Sequence, residues 1–184
     1  YTGALGTSVL KLFDLTAAST GLNEKQARAA GVAYDKVVTY SASHASYYPG
    51  ARNMTVKTLF DPASGRILGA QIVGFDGVDK RMDVLAAAIR AGLTAEQLTE
   101  LDLAYAPPYG SAKDPVNMAG YVIENVRAGL VEQHHWDAVA ELPADGSVIL
   151  LDVRTPGEVR KQGLLRSDAL HIPLDELRGR LTEL

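Results

Sequence analysis

Two tyrosines, Tyr105 and Tyr109, flank a pair of prolines in the segment 103–117 and have the chemistry of potential site residues. Pro107 and Pro108 fix the backbone φ angle and remove two hydrogen-bond donors, so the segment cannot be a helix or an inner strand. We therefore expect a stiff, extended loop that points both tyrosines in set directions. A phenol is protonated at pH 7 and can donate a hydrogen bond or a proton to a leaving group such as a thiolate.

This loop has two interpretations from the residues alone. In the first, Tyr105 and Tyr109 are site residues that reach into a neighbouring molecule. In the second, they are amphipathic aromatic side chains that close the edge of a hydrophobic core, which is a common position for tyrosine. The segment taken by itself favours the second interpretation, and both stay open at this point.

The residue types needed for several other kinds of site are absent or scattered. The chain has no cysteine, which excludes disulfide bonds, thiol catalysis and thiolate metal sites in this segment. The four histidines, His44, His134, His135 and His171, do not have the spacing of a zinc site. We therefore predict no metal.

The composition restricts the class of protein. With 47% hydrophobic and 22% charged residues in 184, the chain has the make-up of an ordinary globular protein. A net charge of −4 argues against nucleic acid as a partner, and no apolar run is long enough to span a membrane. The opening residues, Tyr1-Thr-Gly-Ala-Leu5, include neither an initiating methionine nor a signal peptide. We therefore expect a fragment of a cytoplasmic protein.

Charge divides the chain into two parts. Residues 1–130 carry 12 basic and 12 acidic residues, whereas residues 131–184 carry 6 and 10. The change coincides with Gly129 and the His134-His135 pair. We therefore predict two domains, 1–130 and 131–184.

Hydrophobic periodicity and turn residues predict the elements of the first domain. Strands are expected over 5–20 (one or two, buried), over 33–41, and in a hairpin of 54–60 and 66–74. Helices are expected over 24–30, 78–91, 94–101 and 114–129, and the capping residues Asn23, Thr94 and Asp114 open three of them. Adjacent strands can pair antiparallel with the helices gathered on one side, so the fold class is α+β.

The second domain has a different pattern, which is typical of the beginning of an α/β unit. A short helix over 136–142 is followed by an apolar strand over 147–153, a capping box at Thr155–Glu158, a short strand over 169–172 and an amphipathic segment over 175–184. Its parallel sheet is incomplete within these residues. We expect this to be the least stable part of the chain, with the apolar residues 148–151 uncovered.

Four segments of the first domain resemble one family. They are Leu5-Gly-Thr-Ser-Val-Leu-Lys-Leu-Phe-Asp-Leu-Thr16, Ser46-Tyr-Tyr-Pro-Gly50, Gly77-Val-Asp-Lys-Arg-Met-Asp-Val-Leu85 and Ala104-Tyr-Ala-Pro-Pro-Tyr-Gly-Ser-Ala-Lys-Asp114. Together they make residues 3–129 similar to the C-terminal dimerisation domain of flavin-dependent pyridine nucleotide-disulfide oxidoreductases. The resemblance is to the coenzyme A-disulfide reductase, NADH oxidase and persulfide reductase branch.

Residues 132–184 resemble the start of a rhodanese domain. The similar segments are Leu150-Leu-Asp-Val-Arg-Thr-Pro-Gly-Glu158 and His171-Ile-Pro-Leu-Asp-Glu-Leu177. The catalytic cysteine loop of that family would lie further on, so this domain is expected to be truncated. Within it, Asp152 and Arg154 are expected to stabilise the fold and not to do chemistry.

The resemblance implies the C-terminal fragment of an enzyme that passes electrons from NAD(P)H through FAD to a cysteine, which reduces a coenzyme A disulfide or a persulfide. The flavin, nucleotide and cysteine segments would precede Tyr1, so the fragment alone would be inactive. It would form a homodimer and pack on its own N-terminal flavin domain. The physiological acceptor and the choice between NADH and NADPH stay open.

The resemblance also implies roles for particular residues. Tyr105 and one of the pair Tyr47 and Tyr48 match tyrosines that enter the active site of the partner subunit, as catalytic residues. Other disulfide reductases have a His-Pro loop at this place, which this chain lacks. The alternative function is a non-enzymatic dimerisation module in which the tyrosines only pack at an interface.

Three further residues are candidates for binding the substrate. Tyr109 lies in the same loop as Tyr105, and Lys80 and Arg81 lie at the start of the predicted helix 78–91, where they could steer an anionic coenzyme A. A solvated helix N-terminus is the commoner role of such a pair of charges.

Overall fold

A computed structural model describes residues 3–184, and the chain divides between Gln133 and His134 into two units. The first unit is built on a five-stranded antiparallel sheet with the order β1-β2-β5-β4-β3. The strands are β1 (Ser8–Leu12), β2 (Leu15–Gly21), β3 (Asp35–Ala42), β4 (Asn53–Phe60) and β5 (Ile67–Gly74). The predicted α+β class and the predicted hairpin are therefore confirmed.

The hairpin of β4 and β5 forms the centre of this sheet. Its register pairs Val56 with Ile72, and both side chains are buried. Gly69 of β5 lies at a close approach between two backbone segments. A Cβ atom there would lie 1.9 Å from the carbonyl oxygen of Leu22, so only glycine permits the segment after β2 to pass this closely.

The helices of the first unit begin where the sequence predicted. They are α1 (Glu24–Ala29), α2 (Val78–Ala91), α3 (Ala95–Thr99) and α4 (Pro115–Arg127). Capping boxes at Asn23, Thr94 and Asp114 satisfy the free amides of the first turns of α1, α3 and α4. α2 packs on β5 and β2, and α4 packs on β3. The shared core includes Phe60, Ile72, Met82, Leu85, Leu98 and Ile123.

An ion-pair cluster attaches α1 to the sheet. Glu24 accepts hydrogen bonds from Lys36 at 3.1 Å and forms an ion pair with Lys57. Burial alone would raise the pKa of Glu24, but these two ammonium groups lower it from 4.5 to about 2. The carboxylate therefore stays charged far into the acid range.

The prediction that residues 5–20 are buried is wrong for β1. All five residues of β1 are exposed, and Phe13, in the turn after this strand, is 91% exposed. β1 is the edge strand and pairs only with β2, so it lies beyond the part of the sheet that α2 and α4 cover.

The second unit contains only short elements. A two-residue parallel pair, β6 (Leu151–Asp152) and β7 (Leu170–His171), is accompanied by α5 (Pro156–Gln162) and α6 (Leu174–Leu177). The strand predicted over 147–153 is thus shorter than expected. The segment predicted as a helix over 136–142 forms a 3₁₀ helix. The segment 175–184 contains only part of α6 and a 3₁₀ turn. With little core to pack against, weak helix propensity is not reinforced.

No helix within residues 3–184 combines the length and the apolar character that a membrane span requires.

Candidate functional site

Two loops of the first unit carry the candidate tyrosines. The first tyrosine loop, residues 43–52, joins β3 to β4, and the second tyrosine loop, residues 100–114, joins α3 to α4. They meet side by side, because the amide of Ala45 donates to the carbonyl oxygen of Gly110 at 2.9 Å. The fold therefore brings together residues that are far apart in the sequence.

The sequence analysis predicted that the second tyrosine loop is extended, and this is wrong for part of the loop. It turns at the two prolines, where the amides of Tyr109 and Gly110 both donate to the carbonyl oxygen of Ala106, at 2.8 and 3.1 Å. A fixed proline φ angle suits a tight turn as well as an extended segment, and that is the reason for the error.

Tyr47 and Tyr105 form the closest polar contact between the two loops. Their hydroxyl oxygens lie 3.1 Å apart, and either can be the donor. This hydrogen bond, and to a lesser degree desolvation, raises the pKa of the Tyr105 phenol above its ordinary value of 10. The Tyr105 phenol therefore remains protonated at neutral pH. One hydroxyl hydrogen of the pair lies in the shared bond, and the other is available to a third group.

Tyr48 and Tyr109 do not join this pair. Tyr48 packs edge-on against the ring of the buried His44, with 5.8 Å between the ring centroids. Tyr109 is 72% exposed. Of the two alternatives in the first loop, the structure thus brings Tyr47, and not Tyr48, to Tyr105.

A cleft of about 420 Å³ opens between the start of α2 and the second tyrosine loop. Lys80 lies on its edge and donates to the carbonyl oxygen of Ala104 at 3.3 Å. The cleft combines two phenol rings with cationic groups, which suits a ligand that is both anionic and partly apolar. Its lining includes Asp76, Lys80, Arg81, Ala104, Tyr105 and Tyr109.

Arg81 is not the solvated residue that the sequence favoured. Only 1% of its surface is exposed, and it forms a buried ion pair with Asp114 at 2.9 Å. The sequence had identified Asp114 only as a helix cap. The sequence did contain a signal for the burial of Arg81, because this residue lies on the same helical face as the buried Val78 and Leu85.

The described residues of the first unit contain no dinucleotide-binding strand-helix-strand unit for the cofactors that the resemblance implied. The sheet of the first unit is antiparallel throughout, and the sequence contains no Gly-x-Gly-x-x-Gly motif. A dinucleotide site of that kind needs a parallel strand-helix-strand unit that starts with this motif. Within residues 3–184 there is also no group of three or more His, Asp or Glu side chains that could hold a metal ion.

In the second unit, Asp152 and Arg154 act on the local structure. Arg154 donates to the Asp152 carboxylate, to Gln162 at 2.9 Å and to the carbonyl oxygen of Gly163 at 2.8 Å. These contacts hold the end of β6 against the end of α5. The hydrogen bonds from Arg154 lower the pKa of Asp152 from 3.8 to about 2.

Comparison with known proteins identifies the first unit. Residues 7–115 match the family model of the pyridine nucleotide-disulphide oxidoreductase dimerisation domain. This range contains both tyrosine loops in full. Coenzyme A disulfide reductase of Staphylococcus haemolyticus is 46% identical over 121 residues, which are 66% of this chain and 27% of that protein.

Two solved structures match the whole chain. The reduced CoADR-RHD of Bacillus anthracis superposes with a TM-score of 0.94 at 50% identity, and the NAD-dependent persulfide reductase of A. fulgidus with 0.88 at 41%. In each case the match covers 100% of this chain and 32% of the other. The chain therefore spans about a quarter to a third of the relatives that it matches.

Proposed function

Because this chain belongs to the dimerisation-domain family of the pyridine nucleotide-disulphide oxidoreductases, we propose that it is the C-terminal part of a coenzyme A-disulfide or persulfide reductase. The intact enzyme uses FAD and NAD(P)H in this proposal. The first unit forms a homodimer interface, packs on the flavin domain of its own subunit and supplies Tyr47 and Tyr105 to the active site of the partner subunit. The second unit is the N-terminal part of a rhodanese-like domain.

The observation that carries this proposal is the hydrogen bond between Tyr47 and Tyr105. Two phenols on separate loops share one hydrogen and leave a second for another acceptor. A sulfur that becomes anionic is such an acceptor, and a hydrogen bond to a charged group contributes on the order of 1.5–3 kcal/mol. This supports a role for the pair as a donor to sulfur.

The exchange reaction at sulfur needs no group from this chain other than the tyrosines. When a cysteine thiolate attacks one sulfur of a disulfide or persulfide, a new S–S bond forms and the old one breaks. The electron pair leaves on the departing sulfur, which either accepts a hydrogen bond from a tyrosine or takes its proton. FAD and NAD(P)H supply the electrons that regenerate the cysteine.

The cleft beside α2 is the proposed place for the coenzyme A moiety. The exposed ring of Tyr109 offers an apolar contact, and Lys80 offers a cation for an anionic group. Arg81 lines the same cleft, but the protein itself uses its donors, so we assign it no substrate contact. Coenzyme A disulfide and persulfide both contain an S–S bond, and the same pair of phenols serves both.

The first experiment replaces Tyr105 by phenylalanine in the intact reductase. Tyr105→Phe keeps the ring and removes only the hydroxyl, so we expect disulfide or persulfide turnover to fall roughly 10- to 1000-fold. Flavin reduction by NAD(P)H should stay unchanged, because the tyrosine takes no part in it. Single-turnover kinetics of the two half-reactions measures both quantities.

Tyr34→Phe is a matched control. Tyr34 immediately precedes β3, at the end of the strand away from the first tyrosine loop, and its hydroxyl lies 3.4 Å from Glu24. Both half-reactions should be unaffected in this variant. Equal loss of both half-reactions in Tyr105→Phe would indicate a folding or dimerisation defect. No loss in either would return Tyr105 to a packing role, as in the non-enzymatic alternative.

A mixed dimer tests whether the tyrosines act across the interface. One subunit carries Tyr47→Phe and Tyr105→Phe, and the other lacks its redox cysteine. If the tyrosines serve the partner's cysteine, the mixed dimer regains one complete site and about half of the turnover. The parent dimer without tyrosine hydroxyls keeps only its residual turnover, and the parent dimer without the cysteine has none. Mixed dimers without activity would contradict the assignment to the partner subunit.

A further inference from the structure

The hydroxyl groups of Tyr47 and Tyr105 lie within hydrogen-bond distance, although burial does not hold either side chain in place. Tyr47 is 76% exposed and Tyr105 is 48% exposed, and both lie on loops. Exposed loop side chains ordinarily sample several rotamers, which would move two hydroxyl groups in and out of hydrogen-bond distance. The geometry must therefore be set from beneath the loops.

We propose that Arg81 is the positioning residue that holds the two tyrosine loops at the separation that the Tyr47–Tyr105 hydrogen bond needs. It acts through both loops at once and contacts no substrate. The consequence for turnover depends on the function proposed above, whereas the geometric statement does not.

Arg81 first holds the base of the first tyrosine loop. Its Nη2 atom donates to the carbonyl oxygen of Ser43 at 2.9 Å. Ser43 closes that loop, because its amide donates to the carbonyl oxygen of Arg52 and its hydroxyl accepts from the amide of Arg52 at 3.2 Å. Ser43 is itself buried. The guanidinium is thus bound to the point where the loop leaves the sheet and returns to it.

Arg81 also holds the base of the second tyrosine loop. Its Nε and Nη2 atoms donate to the carboxylate of Asp114 at 3.1 and 2.9 Å. Asp114 caps α4 by accepting from the amide of Val116, and its own amide donates to the side chain of Asn117. The Asn117 amide group donates to the carbonyl oxygens of Leu98, before the loop, and of Leu101, at its start. The loop is therefore closed around this one residue pair.

Only arginine can make this set of contacts. The planar guanidinium donates in three directions at once, whereas a lysine ammonium is a single point of charge. The third direction is filled by the carbonyl oxygen of Gly77, 3.1 Å from Nη1. A Cβ atom on Gly77, whose φ angle is +65°, would lie 2.1 Å from that same nitrogen. The turn before α2 is thus shaped to admit the guanidinium.

The ion pair is poorly suited to a role in stability alone. The side chains of Arg81 and Asp114 are 1% and 5% exposed, so both charges have lost their hydration. Buried ion pairs often stabilise a fold no better than apolar residues of the same size, because desolvation offsets the attraction. What the pair supplies beyond apolar packing is direction, and its directed bonds end on the two loops that carry the tyrosines.

The experiment measures Arg81→Lys in two backgrounds of the intact reductase. In the wild-type background we expect the disulfide half-reaction to slow on the order of 10- to 100-fold, as for a small misplacement of a reacting group. In the Tyr47→Phe/Tyr105→Phe background the same change should slow it less than about twofold, because distant and independent sites add whereas coupled ones do not. An equal loss in both backgrounds would overturn the proposal, since it would mean a general structural role.

A second measurement does not depend on turnover. The pKa of the Tyr105 phenol is followed by NMR of ¹³C-labelled tyrosine in the intact enzyme, with Tyr105→Phe to identify its signal. We expect the raised pKa to return toward about 10 in Arg81→Lys, because the hydrogen bond to Tyr47 is lost. An unchanged pKa would overturn the proposal. If Tyr105→Phe itself leaves turnover intact, the proposed function fails, and this titration still decides the positioning role.

Asp114→Asn serves if Arg81→Lys does not fold. Asparagine keeps the shape and the cap of α4 but removes the charge that orients the guanidinium. The same two results are expected at smaller amplitude, namely slower turnover only when both tyrosines are present and a Tyr105 pKa closer to about 10. A folded Asp114→Asn enzyme with neither change would contradict the proposal.

Discussion

The two units of this chain use the same local signals and reach very different degrees of order. Capping boxes open α4 of the first unit at Asp114 and α5 of the second at Thr155, each with proline at the first helical position. In the first unit the strands run for five to eight residues, whereas β6 and β7 have two each. Helix starts are thus set locally, but the length of a strand depends on the partners that pair with it.

Burial makes the same distinction. The first unit encloses a continuous core of large side chains, whereas only Asp152 and Ile172 are buried in residues 134–184. The apolar residues Val148 and Ile149, which we expected from the sequence to be uncovered, are 37% and 48% exposed. A strand of this composition needs layers on both faces, and the second unit does not contain them.

Hydrogen exchange should give the largest difference between the units. We expect the amides of Val56 and Ile72, which are buried in the central strands, to exchange more slowly than unprotected amides by a factor on the order of 10³ or more. The amides of Leu170 and Ile172, although hydrogen-bonded to β6 and the residue before it, should be protected roughly tenfold or less, because no core must open to release them. Mass-spectrometric exchange of this chain measures both.

Similar protection of both units would contradict this expectation. It would mean that the second unit folds cooperatively, or that another part of the protein covers it.

Truncation of a leucine should destabilise the first unit more than the second. Leu59→Ala, at a fully buried position of β4, should lower the free energy of unfolding by about 2–5 kcal/mol. Leu165→Ala in the second unit removes the same atoms from a side chain that is 67% exposed and should change it by less than about 0.5 kcal/mol. Denaturant unfolding followed by circular dichroism supplies the two values. A large effect of Leu165→Ala would reveal a core in the second unit.

Acid unfolding should show the smallest difference. The pKa of Glu24 and that of Asp152 are both lowered to about 2, but only Glu24 lies in the unit that encloses a continuous core of buried side chains. A lowered folded-state pKa stabilises the fold above the unfolded value of 4.5, and this contribution is lost as the pH falls from about 5 to about 2. After allowance for solvent screening, we expect Glu24→Gln to remove about 1 kcal/mol of this pH dependence.

Melting temperatures at several pH values test this expectation, with Glu100→Gln as the matched exposed control. If Glu24→Gln and Glu100→Gln behave alike, the cluster of Glu24 with Lys36 and Lys57 contributes nothing to acid stability.

The sequence predicted those features that depend on neighbours along the chain. Three helices were predicted from their capping residues Asn23, Thr94 and Asp114, and the central hairpin was predicted from the turn 61–65. Caps and turns depend on interactions between residues that are close in the sequence. The family resemblance selected Tyr105 and the Tyr47/Tyr48 pair. The match of residues 7–115 to the dimerisation-domain model confirms the family to which that resemblance pointed.

Contacts over long separations could not be read in the same way. Tyr47 and Tyr105 are 58 residues apart, and the Arg81–Asp114 pair spans 33. Their proximity follows from the packing of α2 and α4 on the sheet, which no local pattern encodes. Exposure of β1 was missed for the same reason, since edge and central strands differ in their partners and not in their composition.

The hydrogen bond between Tyr47 and Tyr105 also fixes how many of their hydroxyl protons are free for another acceptor. Two phenols hold two protons and need only one for the bond between them. When the other is given to an acceptor, the remaining proton can hydrogen-bond the new phenolate, so the charge is spread over two oxygens 3.1 Å apart. A single tyrosine would have to hold that charge alone. In the proposed role, the pair therefore stabilises the phenolate that forms when one tyrosine donates its proton.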